Sequence, residues 1–502
     1  MEAHPVLVGG FIFVYVAAQI GISLWFSRGV KSDADYFLGG RNVAMIPAML
    51  SLFATWFGAE TVMGSSAAIA QDGLSGARSE PIGYALCLVA MAFIVAGAYR
   101  SRGYATLADF YRDRFGRDSE LFAALITAAV STIWAAAQLL ALAAILHTAL
   151  DIPAQTTLLI ATAIIVLYTS FSGIVGDIAT DVIQGAIVLI GLMLLLLALA
   201  DQFGGFGGLF AVIQPEQLSV VGVDAETGES ESWLARIDVF ALPILGSLVT
   251  QEAVSRLLST RNEKDARNAA LGAGAIYFFV GCIPVLLALG GAHLTVPGWS
   301  GDDDSFLPKL AQVLLHPVAY LIFLSALVSA ILSTVNSNLL SVSSLLSINV
   351  LSHVHAKATE MTRLRVARIT TVAAGLLALA IAWEAGSIYG LIALTSAFGQ
   401  SGLLIAFLFG VYSRFGGRLA ALASIVAGVG FNLWSLILWP LGSLMGDGMT
   451  LLSAIVAIAN EEGPVIDGNF LYSVLISLAA YVAVALWERR QTAKSLAQRE
   501  AA

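Results

Sequence analysis

The sequence has little charge and few residues suited to catalysis. Only 12% of its 502 residues are Asp, Glu, Lys or Arg, while 58% are hydrophobic, whereas a soluble domain carries about 25% charged residues. The 34 acidic residues outnumber the 25 basic ones, so the basic surface of a nucleic-acid-binding protein is missing. The two cysteines, Cys87 and Cys282, lie in apolar runs, and the sequence contains no CxxC or HExxH motif. These absences argue against a soluble protein, a nucleic-acid binder, a disulfide-stabilised domain and an enzyme.

Long apolar stretches dominate instead, and each can cross the hydrocarbon layer of about 30 Å as a helix. Segments of short alternating hydrophobicity, which predict spanning strands, do not occur. We therefore predict an all-α integral membrane protein with about thirteen transmembrane helices. They lie near 5–26, 45–71, 81–98, 121–149, 154–171, 180–200, 238–256, 269–292, 318–347, 368–385, 388–411, 419–442 and 469–487.

Lys and Arg are distributed unevenly between the two sides that thirteen spans create. With the N-terminus outside, all 25 basic residues except Arg78, Arg236 and Lys309 lie in cytoplasmic loops or the C-terminal tail. The acidic runs at 302–304 and 461–462 then lie outside. Because cytoplasmic loops are enriched in basic residues, we expect an outer N-terminus, a cytoplasmic C-terminus and a location in the bacterial inner membrane.

Polar residues interrupt the second apolar stretch at mid-depth, where Gly58, Glu60 and Thr61 follow Pro47. Polar groups are costly in hydrocarbon unless they pair or line a cavity. We therefore expect a helix broken near Gly58, whose freed carbonyl groups can coordinate a cation. The alternative is an intact helix in which Gly58 permits close packing and Glu60 pairs with a neighbour.

The seventh stretch is interrupted as well, by Pro243 and Gly246. Two broken helices five spans apart are typical of transporters built from two inverted five-helix repeats. Just beyond the interruption, Glu252 lies four residues before Arg256. For these two side chains we expect an ordinary i,i+4 pair at the membrane interface.

The ninth stretch carries small and hydroxylated side chains at helical spacing, namely Ala326, Ser329, Ala330, Ser333 and Ser337. Such a stripe is typical of close helix packing in membranes. Ion binding by its hydroxyl groups is the second interpretation, and the spacing alone favours packing.

Four motifs follow one another along the chain: DYFLGGR at 35–41, GYATLADFY at 103–111, TDVIQ at 180–184 and the Ser-rich ninth stretch. In this order they resemble the sodium:solute symporter family over about residues 33–420. Thr55, Trp56, the PIGY sequence at 81–84 and the WAAA sequence at 134–137 are similar to its choline transporter branch. The resemblance implies a leucine-transporter-like 5+5 inverted repeat with flanking helices.

This resemblance divides the chain into six parts. They are an N-terminal flanking helix and loop at 1–44, a first repeat at 45–200, an extracellular connection at 201–237, a second repeat at 238–411, two flanking helices at 412–488 and a basic cytoplasmic tail at 489–502.

The resemblance also implies sodium ligands, and oxygen atoms are the ligands that a hard cation prefers. At the main site these are the backbone carbonyls of Ala54, Phe57 and Ala326 and the hydroxyl of Ser329. The second hydroxyl usual there is replaced by Ala330. Asp181 and Ser333 match an additional sodium site of some members, although Leu332 occupies its partner position.

For the solute, Trp56 and Trp134 match aromatic positions that enclose a quaternary ammonium group in the choline branch. Cation–π attraction contributes about 2 kcal/mol per desolvated contact. Thr250 stands where a third tryptophan is expected, and Glu60 replaces a glycine. The added carboxylate either attracts a positive amine or carries a coupled proton, and the sequence leaves both roles open.

The residues and the resemblance together predict a secondary active transporter that imports a small nitrogen-bearing organic solute with sodium by alternating access. Its partners are the solute and the lipid bilayer, with no nucleic acid, and it needs no organic cofactor. The alternatives are proton-coupled symport through Glu60, a solute-sensing transceptor module and a channel.

Overall fold

The computed structural model describes residues 5–500, except 31, 78, 224–229, 302–303, 356–358, 386–387, 389–390, 392–394, 396–399, 447–448 and 450–465. Arg78, the acidic pair at 461–462, two residues of the run at 302–304 and part of the eleventh predicted stretch therefore lie outside the described residues. Those described residues are almost entirely helical, and their only β pairings are two isolated bridges.

An apolar helix lies at each of the thirteen predicted positions, which confirms the all-α membrane class. Among the described residues, eight helices are long enough to cross a bilayer, and two bent helix pairs raise the number to ten. The three shorter ones are α3, α5 and α11. In chain order the helices are α1 (Val6–Gly29), α2a (Met45–Trp56), α2b (Glu60–Ser75), α3 (Ile82–Ile94), α4 (Arg117–Leu150), α5 (Ala154–Ser170), α6 (Gly173–Gln202), α7a (Trp233–Val249), α7b (Gln251–Ser259), α8 (Glu263–Gly291), α9 (Pro317–Val354), α10 (Glu360–Glu384), α11 (Gln400–Tyr412), α12 (Arg418–Gly446) and α13 (Asn469–Ser495).

Two helices form the interior of the bundle. The most apolar windows of α4 and α9 are 78% buried within the protein, against 28% for α1 and α13. The α9 helix packs along α6 and α4, α8 packs against α2a and α3, and α12 packs against α13. The small-residue stripe of α9 explains its central position, because it allows close approach of neighbouring helices. The packing interpretation of the stripe therefore agrees with the structure.

Both predicted helix interruptions are present. The axes of α2a and α2b differ by 57°, and those of α7a and α7b by 49°. In α7 the chain passes Pro243 and Gly246 in widened turns and becomes extended at Thr250 (φ −105°, ψ 138°). The breaks lie five spans apart, as an inverted repeat requires, while the residue bounds of the two repeats stay a prediction.

A buried ionic cluster joins α7b to the rest of the bundle. The Arg256 guanidinium contacts the carboxylates of Asp177 and Asp181 on α6, and all three side chains are at most 1% exposed. Asn336 and Ser337 of α9 also hydrogen-bond to Asp177. The cluster therefore fixes α7b against α6 and α9.

This cluster corrects the expected pair between Glu252 and Arg256. Both residues are buried within the bundle, unlike an exposed surface pair. The guanidinium donates to the backbone carbonyl of Glu252 at 3.0 Å, while its ion pairs are made with α6. Desolvation explains the difference, because a buried guanidinium needs carboxylates placed around it by other helices.

We expect Arg256→Gln to destabilise the protein by about 3–5 kcal/mol, because it leaves two buried carboxylates without their cation. The measurement is the thermal unfolding midpoint of the purified full-length chain in detergent. Arg261→Gln is the matched control, since Arg261 is exposed and its side chain donates, among the described residues, only to the Asn42 carbonyl at 3.3 Å. Equal midpoints for the two variants would contradict this account.

Candidate substrate and ion site

The backbone amides at the gap in the second span form hydrogen bonds within α2 and with α4. Phe57 (φ −81°, ψ 71°) leaves helical geometry after Trp56, and the Gly58 N–H donates to the Trp56 carbonyl at 3.0 Å. The Ala59 N–H donates to Oε1 of Gln138 on α4 at 3.0 Å. Since lipid offers no partner to a free amide, α4 makes this break possible.

Gly58 also brings the gap close to α9. A Cβ atom built on Gly58 would lie 2.7 Å from Oγ1 of Thr334 and 3.1 Å from Oε1 of Gln138. A larger residue would separate the gap from both helices. Because the helix is interrupted here, the alternative of an intact helix at Gly58 is wrong. The close packing that this alternative assigned to Gly58 is present.

Of the predicted sodium ligands, Ala54 of α2a contacts α9, and Ser329 belongs to α9 itself. The Ala54 carbonyl accepts a hydrogen bond from the Ser333 hydroxyl at 2.7 Å. The Ser329 hydroxyl, one turn away, donates to the Ser325 carbonyl at 2.6 Å and contacts the hydroxyl of Tyr15 on α1. Tyr15 could not be predicted from local sequence, because this contact joins residues 314 positions apart.

The other two predicted ligands of the main sodium site are buried. Phe57 is 1% exposed, and its ring centroid lies 5.5 Å from that of Tyr277 on α8. Ala326 lies within regular helix and packs against Gly191 of α6. Sodium coordination by these carbonyls and by Ser329 stays a prediction.

At the additional ion position the structure places Asp181 beside an arginine. One carboxylate oxygen, Oδ2, accepts from the Ser51 hydroxyl at 2.5 Å and from Arg256 at 3.3 Å. The other, Oδ1, is buried and accepts from none of the described residues. Ser333 donates to the Ala54 and Ala330 carbonyls. Oδ1 is therefore the atom of Asp181 that fits a cation, and its role as an ion ligand stays a prediction.

The two predicted cage tryptophans meet around a tyrosine. The ring centroid of Tyr84 on α3 lies 5.6 Å from that of Trp56 and 6.4 Å from that of Trp134, both in edge-on geometry. Tyr277 continues the cluster at 6.0 Å from Tyr84. We call Trp56, Tyr84, Trp134 and Tyr277 the aromatic box.

Two carboxylates lie against the aromatic box. Glu60 accepts a hydrogen bond from the Tyr84 hydroxyl at 2.8 Å. Glu80 accepts from the hydroxyls of Tyr277 at 2.9 Å and Thr61 at 3.0 Å, and it is only 6% exposed. The sequence interpretation missed Glu80, which it assigned to a loop before the third span. Its one available signal was an acidic residue directly before the PIGY motif.

Thr250 and Glu252, at the second helix break, lie beside the aromatic box. The Thr250 hydroxyl donates to the Ser247 carbonyl at 3.2 Å, so the position expected to hold a third tryptophan carries a small polar group. The buried Glu252 carboxylate lies near the side chains of Thr250 and Trp56. Trp56 therefore connects the break of α2 with that of α7.

Gly58→Val should lower stability by about 1–3 kcal/mol, because the added methyl groups overpack the contact with α9. Solute uptake per folded molecule should fall as well. The measurements are the thermal midpoint in detergent and uptake into proteoliposomes. Gly97→Val is the control, since a Cβ atom there meets nothing within 4 Å. Equal behaviour of the two variants would remove Gly58 from the site.

Comparison with known proteins finds one family model that matches most of the chain. The model of the sodium:solute symporter family matches residues 36–428. The chain is 29% identical to high-affinity choline transporter 1 of Drosophila melanogaster over 400 residues, or 76% of this chain and 62% of that protein. It is also 29% identical to the high-affinity proline transporter PutP of Bacillus subtilis, over 73% of this chain and 79% of PutP.

Solved structures share the fold. A substrate-bound, outward-open Na⁺-coupled sialic acid symporter superposes with a TM-score of 0.75 at 19% identity, over 96% of this chain and 97% of that one. The nucleobase-cation-symport-1 family transporter Mhp1 superposes with a TM-score of 0.54 at 17% identity, over 89% and 93%. At these identities the likeness concerns the fold alone, and it confirms the leucine-transporter-like architecture.

Proposed function

Since this chain belongs to the sodium:solute symporter family, we propose that it imports a small nitrogen-bearing organic cation together with sodium. The observation that carries the proposal is the gap between Trp56 and Glu60, where α2, α4 and α9 meet beside the aromatic box. A break at mid-membrane with oxygen atoms on one side and aromatic rings on the other suits simultaneous binding of a metal ion and an organic cation.

Support for the sodium half comes from the oxygen atoms that surround the gap. The Ala54 carbonyl faces a hydroxyl group of α9, and the Ser329 hydroxyl lies one helical turn from that contact. Inward movement of one sodium ion supplies about 2.3 kcal/mol for each 100 mV of membrane potential. This free energy would drive uptake of the solute against its concentration gradient.

Support for the solute half comes from the aromatic box and its carboxylates. Trp56 and Trp134 offer ring faces that attract an organic cation, and Glu60 adds a full negative charge beside them. Thr250 leaves room and polarity where a bulky ring is expected. In this proposal Trp56, Trp134, Glu60 and Thr250 line the solute pocket.

Proton coupling is the second candidate, and Glu60 is the observation that favours it. This carboxylate lies at the start of α2b, directly after the gap, and accepts from the Tyr84 hydroxyl. Its position would let protonation change the charge of the pocket during each transport cycle. The two candidates differ in which ion gradient drives uptake.

Sodium dependence is tested by uptake of radiolabelled choline and ethanolamine into proteoliposomes that contain the purified chain. An inward sodium gradient should drive accumulation, and replacement of sodium by potassium should remove most of it. Liposomes without protein are the control. Uptake that is unchanged in potassium but stimulated by an inward proton gradient would overturn sodium coupling in favour of proton coupling.

Ser329→Ala should raise the sodium concentration for half-maximal uptake about fivefold, since loss of one polar ligand costs about 1 kcal/mol. Ser343→Ala is the matched control, because Ser343 is a buried α9 serine whose hydroxyl donates to the Leu340 carbonyl of its own helix. The measurement is the sodium dependence of initial uptake rates. An identical sodium dependence in both variants would refute the assignment of Ser329.

A further inference from the structure

Glu80 is a buried carboxylate that neither the sequence motifs nor the proposed cage includes. Tyr277 donates to its Oε1 and Oε2 atoms at 2.9 and 3.1 Å, and Thr61 donates to Oε1 at 3.0 Å. These donors are neutral, and among the described residues no basic side chain forms an ion pair with Glu80. Within that part of the chain, the Glu80 carboxyl group is therefore hydrogen-bonded by hydroxyl groups alone.

Glu80 lies at the same aromatic box as Glu60. Both carboxylates hydrogen-bond to tyrosines of the aromatic box, and the centroids of these two tyrosine rings are 6.0 Å apart. Two carboxylates in a poorly hydrated region repel each other when both are charged. An occupant that carries a cationic group relieves this repulsion, whereas a solute without such a group does not.

A second observation, independent of the acidic pair, points to a ligand at the same place. Gln138 is 1% exposed, and its Oε1 atom is occupied by the Ala59 N–H. Its amide nitrogen Nε2 is buried and donates to none of the described residues. Gln138 lies one helical turn beyond Trp134 of the aromatic box and touches the residue before Glu60. A buried amide without an acceptor is costly, so a bound acceptor group would stabilise it.

We propose that Glu60, Glu80 and Gln138 form a subsite for a protonated amine that keeps at least one N–H and carries a hydrogen-bond acceptor a few atoms away, as in an amino alcohol or amino acid. This inference rests on the proposed transport function and names its solute class. The carboxylates accept the ammonium hydrogens, and the Gln138 amide donates to the hydroxyl or carboxylate oxygen of the solute.

This subsite and a simple aromatic cage differ in how their affinity depends on the number of N–H groups on the solute nitrogen. A carboxylate forms its strong contacts with N–H donors at about 2.7–2.9 Å. A quaternary ammonium group has no N–H, and its methyl groups hold the nitrogen away from the acceptor oxygens. Aromatic faces bind both kinds of cation. Carboxylates that line the box therefore shift its preference towards amines that are not fully methylated.

Binding of a methylation series to the full-length protein in detergent tests the proposal. The probes are ethanolamine, N-methylethanolamine, N,N-dimethylethanolamine and choline, titrated at neutral pH with sodium chloride present, where each carries one positive charge. Dissociation constants come from the shift of the thermal midpoint with concentration. We expect choline to bind about tenfold more weakly than dimethylethanolamine, because it loses the last charge-assisted hydrogen bond.

The proposal would be overturned if choline bound more tightly than dimethylethanolamine, if all four amines bound equally, or if none of them bound. The acceptor is tested by n-propylamine, which replaces the ethanolamine hydroxyl with a methyl group. Weaker binding of propylamine is expected, and equal binding would remove Gln138 from the subsite.

Glu80→Gln should give similar dissociation constants for all four amines. Glu263→Gln, which changes an exposed acid at the start of α8, should leave their order as in the unmodified protein. If Glu80→Gln does not fold, the series with the unmodified chain still decides. Binding is measured without any ion gradient, so its outcome is separate from that of the uptake assay. Correct binding without sodium-driven uptake would overturn the transport mechanism alone.

Discussion

The hydrogen-bonding needs of the backbone within the hydrocarbon layer determine where this protein can place a site. A helix can be interrupted in lipid only where other parts of the protein satisfy the freed N–H and C=O groups. In α2 these partners are Gln138 of α4 for the Ala59 amide and Ser333 of α9 for the Ala54 carbonyl. Because α4 and α9 are the most buried spans, the gap lies at the centre of the bundle. The position of the gap is a consequence of this packing.

Ionisable side chains within the bundle have two different kinds of partner. Arg256 is surrounded by the carboxylates of Asp177 and Asp181, so the arrangement is an ionic cluster between helices. Glu60 accepts from the Tyr84 hydroxyl, and Glu80 accepts from the hydroxyls of Tyr277 and Thr61. The first arrangement joins Arg256 to two carboxylates and suits a structural joint. The second places two carboxylates beside aromatic faces, which is the chemistry of a site for a cation.

Much of the architecture could be predicted because its signals are local. Apolar length gave the thirteen helix positions, and Gly58, Pro243 and Gly246 marked both breaks within their own segments. Glu80, Tyr277 and Gln138 were missed because their partners lie 19, 197 and 79 positions away along the chain. The error at Arg256 has the same origin. The i,i+4 rule predicts neighbours on one helix, whereas burial made Arg256 pair across helices with α6.

The two breaks and the ionic cluster meet within a few residues of α7b. Glu252, the second residue of this helix, lies near Trp56 with its side chain and accepts from Arg256 through its backbone carbonyl. One helical turn therefore separates a wall of the proposed solute pocket from the ion pairs that hold α7b against α6. Ser51 of α2a donates to Asp181 in the same cluster. The two interrupted helices, α2 and α7, are thus connected to the same group of buried charges. A movement of α7b relative to α6 must therefore change these ion pairs and the contacts of Trp56 together.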